Sequence, residues 1–245
     1  MRTALLRFSL IVACAISAQA FSFEPISQDF ASSGPGASHV FRVNNSTDER
    51  IAVKISVRPR RIEPDGTEIQ GKEAEEFVVY PRQMLLEPGE ARSVRVRWNG
   101  PAEVESELPY RIIAEQLPVD FGEELPAQGA SIRLTYRYEG VLYVVPPGAR
   151  PDILITDVSR ASRPEGDMLT FEFQNIGTRH ALLRDLAVSL RDSEGGDVRI
   201  SLEADQLAGI AGENMLAGSI RRFELPVPAD LWDGPIYADM EYGPE

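Results

Sequence analysis

The sequence predicts an all-β protein built from two immunoglobulin-like β-sandwich domains, on three observations. Apolar and polar residues alternate along several short stretches, the period-two signature of half-buried strands. Clusters of Gly, Pro, Asn and Asp punctuate those stretches at short spacing, with no helical period between them. The chain of 245 residues is long enough for two domains, and Pro146-Pro147-Gly148-Ala149-Arg150-Pro151 reads as a stiff linker.

Residues 1–20 read as a secretory leader outside the fold. Arg2 and Arg7 flank its start, an apolar core runs from Phe8 to Ile16, and Ala18-Gln19-Ala20 fits a small-residue cleavage site. Ile11-Val12-Ala13-Cys14 resembles a lipoprotein box, the less favoured alternative because it leaves a very short apolar region. Cleavage after Ala20 removes the single cysteine, so the exported chain must be stabilised by core burial alone.

The first domain is expected over 21–147. Phe21–Phe30 carries apolar residues broken by Pro25, which suits a sheet edge. His39–Val43 is a strand, and Asn44-Asn45-Ser46-Thr47-Asp48 turns the chain. Ile51, Val53, Ile55 and Val57 alternate with Ala52, Lys54, Ser56 and Arg58. Phe77–Tyr80, Ser93–Trp98 and Tyr110–Leu117 are further strands, with Tyr110 where such sandwiches place a tyrosine corner. The last strand spans Gly129–Pro147, with Ile132, Leu134, Tyr136 and Tyr138 on one parity and Ser131, Arg133, Thr135 and Arg137 on the other. A strand this long and half-apolar either closes its own core or is an edge available to a partner.

The linker is placed at 148–151 and a second, smaller sandwich at 152–245. Its expected strands are Ile153–Val158, Leu169–Gln174, Leu182–Leu190, Val198–Leu202, Asn214–Leu225 and Pro235–Glu241, with a short helical turn over Ala204–Ala211.

The charge balance and side-chain inventory narrow the function. A net charge of −13 argues against nucleic acid as a partner. The two halves differ: residues 21–150 hold 15 Lys/Arg against 20 Asp/Glu, and residues 151–245 hold 8 Arg against 18. The first half is therefore the better candidate for meeting negative charge, although scattered solvated strand faces give the same count. His39 and His180 are far apart and without cysteine, which makes no persuasive metal site, and each reads as an ordinary surface or edge residue. There is no Gly-x-Ser-x-Gly elbow and no glycine-rich phosphate loop before a helix. The clusters Glu73, Glu75, Glu76 and Glu103, Glu105, Glu107 lack the spacing of a calcium loop. The expectation is a protein that is not an enzyme, with no cofactor, no metal and no catalytic residue, acting by edge-strand pairing.

Several stretches resemble one family. Val79-Tyr80-Pro81, Leu86-Glu87-Pro88-Gly89-Glu90 leading into Val94-Arg95-Val96, Pro109-Tyr110-Arg111-Ile112-Ile113-Ala114-Glu115-Gln116-Leu117-Pro118, and the strand ending Val144-Val145-Pro146 are similar to the periplasmic pilus-assembly chaperones, the PapD-like proteins of chaperone–usher systems. The resemblance covers 21–150 well and 151–245 only by position and length. It implies two immunoglobulin-like domains set in an L, a periplasmic location, pilus or fimbrial subunits as partners, and an outer-membrane usher as a possible further one. It also implies donor-strand complementation through residues 130–145, with Ile132, Leu134 and Tyr136 as donor side chains and Tyr138 as a fourth. A self-dimer through the same edge is compatible with an unpaired strand. The short connection 119–128 without cysteines resembles the short-loop members.

The sequence departs from the family pattern at the pair of basic residues that anchors a subunit's C-terminal carboxylate. The lysine position falls at Val141 and the arginine position near Ser27. Arg137 shares parity with Val141 and is the candidate substitute, against a solvated strand-face role. The alternative to a chaperone is an exported immunoglobulin-like binding or structural module that pairs the strand internally.

Overall fold

The computed structural model describes residues 20–121, 134–164 and 166–243. Among the described residues, ten strands precede the linker: β1 (Ser22–Glu24), β2 (Ser27–Ala31), β3 (Ser38–Asn44), β4 (Ile51–Ile62), β5 (Glu68–Gln70), β6 (Phe77–Tyr80), β7 (Gln83–Leu86), β8 (Ala91–Trp98), β9 (Leu108–Leu117) and β10 (Arg137–Val145). They form two sheets. One runs β1-β3-β8-β6; the other runs β2-β10-β9-β4-β5, with β7 also paired to β4. Inward-facing residues of both sheets make one core, including Phe23, Phe41, Val53, Ile55, Phe77, Val94, Ile112 and Leu142, each at most 2% exposed. Phe21, the first residue after the expected cleavage site, belongs to this core at 1% exposure.

Eight strands follow among the described residues: β11 (Ile153–Arg163), β12 (Gly166–Asn175), β13 (Ala181–Leu182), β14 (Ala187–Arg191), β15 (Ile200–Leu202), β16 (Asn214–Met215), β17 (Ile220–Pro226) and β18 (Tyr237–Glu241). Sheets β11-β12-β17 and β15-β14-β18, with the β13-β16 pair, enclose a second core around Phe171, Phe173, Leu183, Val188 and Leu190. The architecture is thus all-β, two sandwiches in sequence.

Several elements differ from expectation for identifiable reasons. Leu182–Leu190 is two strands, because the chain turns at Asp185 with φ 47°. Asn214–Leu225 is also two, separated at Gly218 with φ 69°, a conformation glycine adopts without strain. Ala204–Ala211 forms hydrogen-bonded turns without a helix. Tyr110 makes no corner: its ring packs in the core against Phe77 and Trp98, with centroids at 5.0 and 6.0 Å, and its hydroxyl has no hydrogen-bond partner among the described residues. Burial pushes its phenol up to about 12.

Candidate functional site

The site is organised by β10 and the two edges of its backbone. On one edge β10 pairs with β9 throughout, from Arg137↔Glu115 to Val144↔Leu108. On the other it pairs with β2, but only from Val141↔Ser27 onward. The first hydrogen bond on that edge is Val141 N–H to Ile26 C=O at 2.7 Å. Backbone groups two residues apart point the same way in a strand, so those of Arg137 and Glu139 face the edge that β2 leaves open. Tyr136 C=O instead accepts from Gln116 N–H on the β9 side, at 2.9 Å. Among the described residues, no strand pairs the open edge over Arg137–Gly140.

Gly140 sits where β2 first meets β10. A Cβ there would lie 2.7 Å from the Ile26 carbonyl oxygen and 2.9 Å from Ile112 Cγ2, so only glycine admits this approach.

The side chains named from the sequence fall in different places. Ile132 lies outside the described residues. Leu134 is 66% exposed. Tyr136 and Tyr138 are partly buried against the first core, and Tyr138 meets Phe21 edge-to-face at 4.8 Å. All of these share parity with Leu142 and Val144, which are fully buried. The face that closes the sandwich's own core therefore continues outward along the strand and emerges at Leu134. Ile26, beside the open edge, is a second exposed apolar residue at 63%.

On the opposite, outer face of the same sheet, register sets Ser27, Val141, Arg111 and Arg58 in one row across β2, β10, β9 and β4. The two positions where the family carries basic anchors are thus direct neighbours, and the row continues into two arginines. One row further along, Tyr143 joins the two sandwiches. Its ring stacks on His180 with centroids at 3.8 Å, and its hydroxyl accepts from Arg60 Nη2 at 2.7 Å and from Asn214 Nδ2 at 2.8 Å. His180 is no free surface residue: its Nδ1 lies 2.8 Å from both oxygens of Glu107, whose side chain is wholly buried. Arg179 pairs with Asp29 at 3.0 Å, and Arg222 N–H donates to Pro64 C=O at 2.7 Å. These contacts tie the second sandwich to the first beside the arginine row.

The arginines differ in their partners. Arg111 makes a two-pronged bond to Glu68, Nε to Oε1 at 2.7 Å and Nη2 to Oε2 at 2.6 Å, and Arg60 Nη1 adds a third contact at 3.0 Å. Burial alone would raise the Glu68 carboxyl, but hydrogen bonds from Arg111, Arg60 and Gln70 outweigh it and hold the pKa at about 2. Arg137 is occupied by Glu139 at 2.8 Å. Arg58 is half-buried, its Nε is buried without a hydrogen bond, and no carboxylate meets it among the described residues. Arg58 was legible only as a polar-face residue of an alternating strand; its place beside Arg111 depends on cross-strand register, which the sequence does not display.

His39 is structural, with Nε2 2.9 Å from Gly36 C=O and its ring against Phe30.

No protein-family model and no curated protein matches the sequence. The fold does match solved structures. One chain from the CsuC–CsuE chaperone–tip adhesion subunit pre-assembly complex of archaic chaperone-usher Csu pili of Acinetobacter baumannii aligns over 90% of this chain and 93% of its own, with TM-score 0.59 and 17% identity. A chaperone–tip adhesin complex of CFA/I fimbriae biogenesis aligns over 92% and 98%, with TM-score 0.57 and 16% identity. The Salmonella enterica SafB chaperone in complex with SafA pilin aligns over 86% of both chains, with TM-score 0.52 and 15% identity. The chain has the two-domain β-sandwich fold of the chaperone–usher pilus chaperones.

Proposed function

We propose that the chain is a non-catalytic periplasmic chaperone that binds and stabilises pilus or fimbrial subunits by donor-strand complementation, for assembly at the outer membrane. The observation that carries this reading is the open edge of β10 over Arg137–Gly140, next to an exposed Leu134 on the strand's core-facing side. A subunit strand added there gains backbone hydrogen bonds from Arg137 and Glu139, while Leu134 and Ile132 enter its apolar groove. Tyr136 and Tyr138, half-buried already, bridge the two cores. Burying an exposed leucine contributes about 1.5–3 kcal/mol, less the cost of association. The arginine row supplies the carboxylate anchor: Arg58 meets no carboxylate among the described residues and has Arg111 as its neighbour, whereas Arg137 is held by Glu139. That the structural neighbours include chaperones in complex with pilin or tip subunits supports the same reading.

The test is co-expression of a cognate subunit with the double variant Ile132→Arg, Leu134→Arg. Subunit recovery is expected to collapse while the chaperone itself remains folded; unchanged recovery overturns the proposal.

A second reading, an exported binding or structural module without chaperone activity, draws on the internal packing of Tyr136 and Tyr138. It requires Arg137 and Glu139 to be backbone-paired within the free chain.

A further inference from the structure

The second sandwich repeats the strand plan of the first with one position left unfilled. In the first, β9 pairs with β4 on one side and β10 on the other, and β10 pairs in turn with β2. In the second, β18 pairs with β14 as β9 does with β4, but among the described residues no strand lies on its other side. Just beyond β18, Gly243 N–H donates to Arg184 C=O at 2.7 Å, on the β14 side. Backbone groups alternate in direction along a strand. Tyr237, Asp239 and Glu241 therefore face β14, and Ala238 and Met240 present theirs to the unpaired edge. β11, the neighbour of β18 across the core, is separated by β12 and β17 from the point where Arg222 meets Pro64 of the first sandwich.

The core shows the same gap. Ile112 and Ala114, facing inward on β9, are 0% exposed. Their counterparts on β18, Ala238 and Met240, are only partly buried, as are Ile155 and Val158 on β11. β11 and β18 share no ladder, and they flank a cavity of about 370 Å³ with Ile155, Val158, Ile236 and Ala238 among its lining. The outward side chains of β18 are Tyr237, Asp239 and Glu241, all exposed, and exposed Asp157 and Glu194 also line the cavity. Arg191, the one basic residue in that lining among the described residues, is paired with Asp239. The unfilled position thus combines unpaired backbone, partly uncovered apolar side chains and an acidic border.

We propose that the free edge of β18 accepts a strand from a partner protein, an extended segment with apolar residues at alternate positions and Lys or Arg between them. Ala238 and Met240 supply the ladder hydrogen bonds, and the apolar side chains enter the cavity. The cations lie across from Asp239 and Glu241, where opposite charges attract. The same border opposes an acidic segment, and it opposes a second copy adding its own β18, which would set Asp239 and Glu241 against like charges. The site is separate from the β10 edge of the chaperone reading: there the chain lends a strand, and here it receives one.

The experiment measures amide hydrogen exchange of the full chain with two peptides of about eight residues, a strand's length. One alternates valine with lysine, the other valine with glutamate, each at about 1 mM, enough to detect a weak site. The lysine peptide should slow exchange at Ala238 and Met240 at least about tenfold more than the glutamate peptide. Asp239 N–H, turned to β14, should be protected throughout and serves as the internal control. In Asp239→Lys, Glu241→Lys the preference should reverse, with thermal melting little changed because both side chains are exposed. If that variant does not fold, raising salt to about 0.5 M with the parent chain should erase the preference instead. The slowing should persist in Leu134→Arg. No slowing, equal slowing by both peptides, a preference unmoved by charge swap and salt, or protection of Ala238 and Met240 in the free chain would overturn the proposal. So would loss of the slowing in Leu134→Arg, which would put the peptide on β10. Because Leu134→Arg tests the β10 edge separately, failure here leaves the chaperone reading standing, and failure there leaves this one.

Discussion

Replacing Arg58 with methionine removes a half-buried guanidinium that has no carboxylate partner among the described residues and a buried, unbonded Nε. It also removes like-charge repulsion with its cross-strand neighbour Arg111. Methionine keeps the apolar stem, and an unsatisfied buried donor costs about 1–3 kcal/mol. The free chain is therefore expected to be unchanged in stability or more stable by about 1 kcal/mol, read by urea unfolding. Under the proposed chaperone role, the same guanidinium is the one expected to meet the subunit's C-terminal carboxylate. A hydrogen bond between charged groups contributes about 1.5–3 kcal/mol, so affinity for a cognate subunit should drop roughly 10- to 150-fold. Titrating the chain with subunit ending in a free carboxylate, and with subunit ending in an amide, closes a double-mutant cycle. Arg58→Met and amidation should each weaken binding, and together should cost little more than either alone. A variant that is destabilised by more than about 1 kcal/mol yet binds both subunits as before would refute the reasoning.

His180→Ala leaves the buried Glu107 carboxylate with the backbone N–H at 180 as its remaining donor in that pair and removes the stack on Tyr143. A loss of about 1.5–3 kcal/mol is expected in urea unfolding, as for a buried carboxylate that loses a hydrogen bond. Gly140→Ala forces β2 away from β10 and should cost about 1–3 kcal/mol in the same assay. Glu68→Gln should destabilise by about 1–2 kcal/mol at pH 7. Glu68 is held at about 2 in the folded chain, below the ordinary glutamate value of 4.5, so its contribution is complete above 4.5 and lost as pH falls toward 2. The gap between Glu68→Gln and the parent should accordingly shrink across that window in unfolding curves taken at stepped pH.

Alternation made most of the first sandwich readable. Phe77–Tyr80 coincides with β6, and Ile51, Val53, Ile55 and Val57 all face the core as their spacing requires. Local pattern failed where folding depends on distant partners. The apolar run through Leu182–Leu190 conceals the turn at Asp185, because Leu183 and Leu186 are buried on either side of it. Tyr110 has the parity of Ile112 and Ala114, which carries its ring into the core. His180 looked like a surface residue because packing between the sandwiches leaves no trace in local sequence. The same limit hid the arginine row. Val141 and Ser27 appeared as two missing cations, and only the register of four strands shows Arg111 and Arg58 beside them.

Hydrogen exchange of individual backbone amides addresses the open edge of β10 directly. In the free chain, Arg137 and Glu139 N–H should exchange rapidly, while Tyr138 N–H, on the β9 side, is protected. On adding subunit, Arg137 and Glu139 should become protected as a strand pairs with them. Protection of both amides in the free chain, or no change when subunit binds, would contradict donor-strand complementation at this edge.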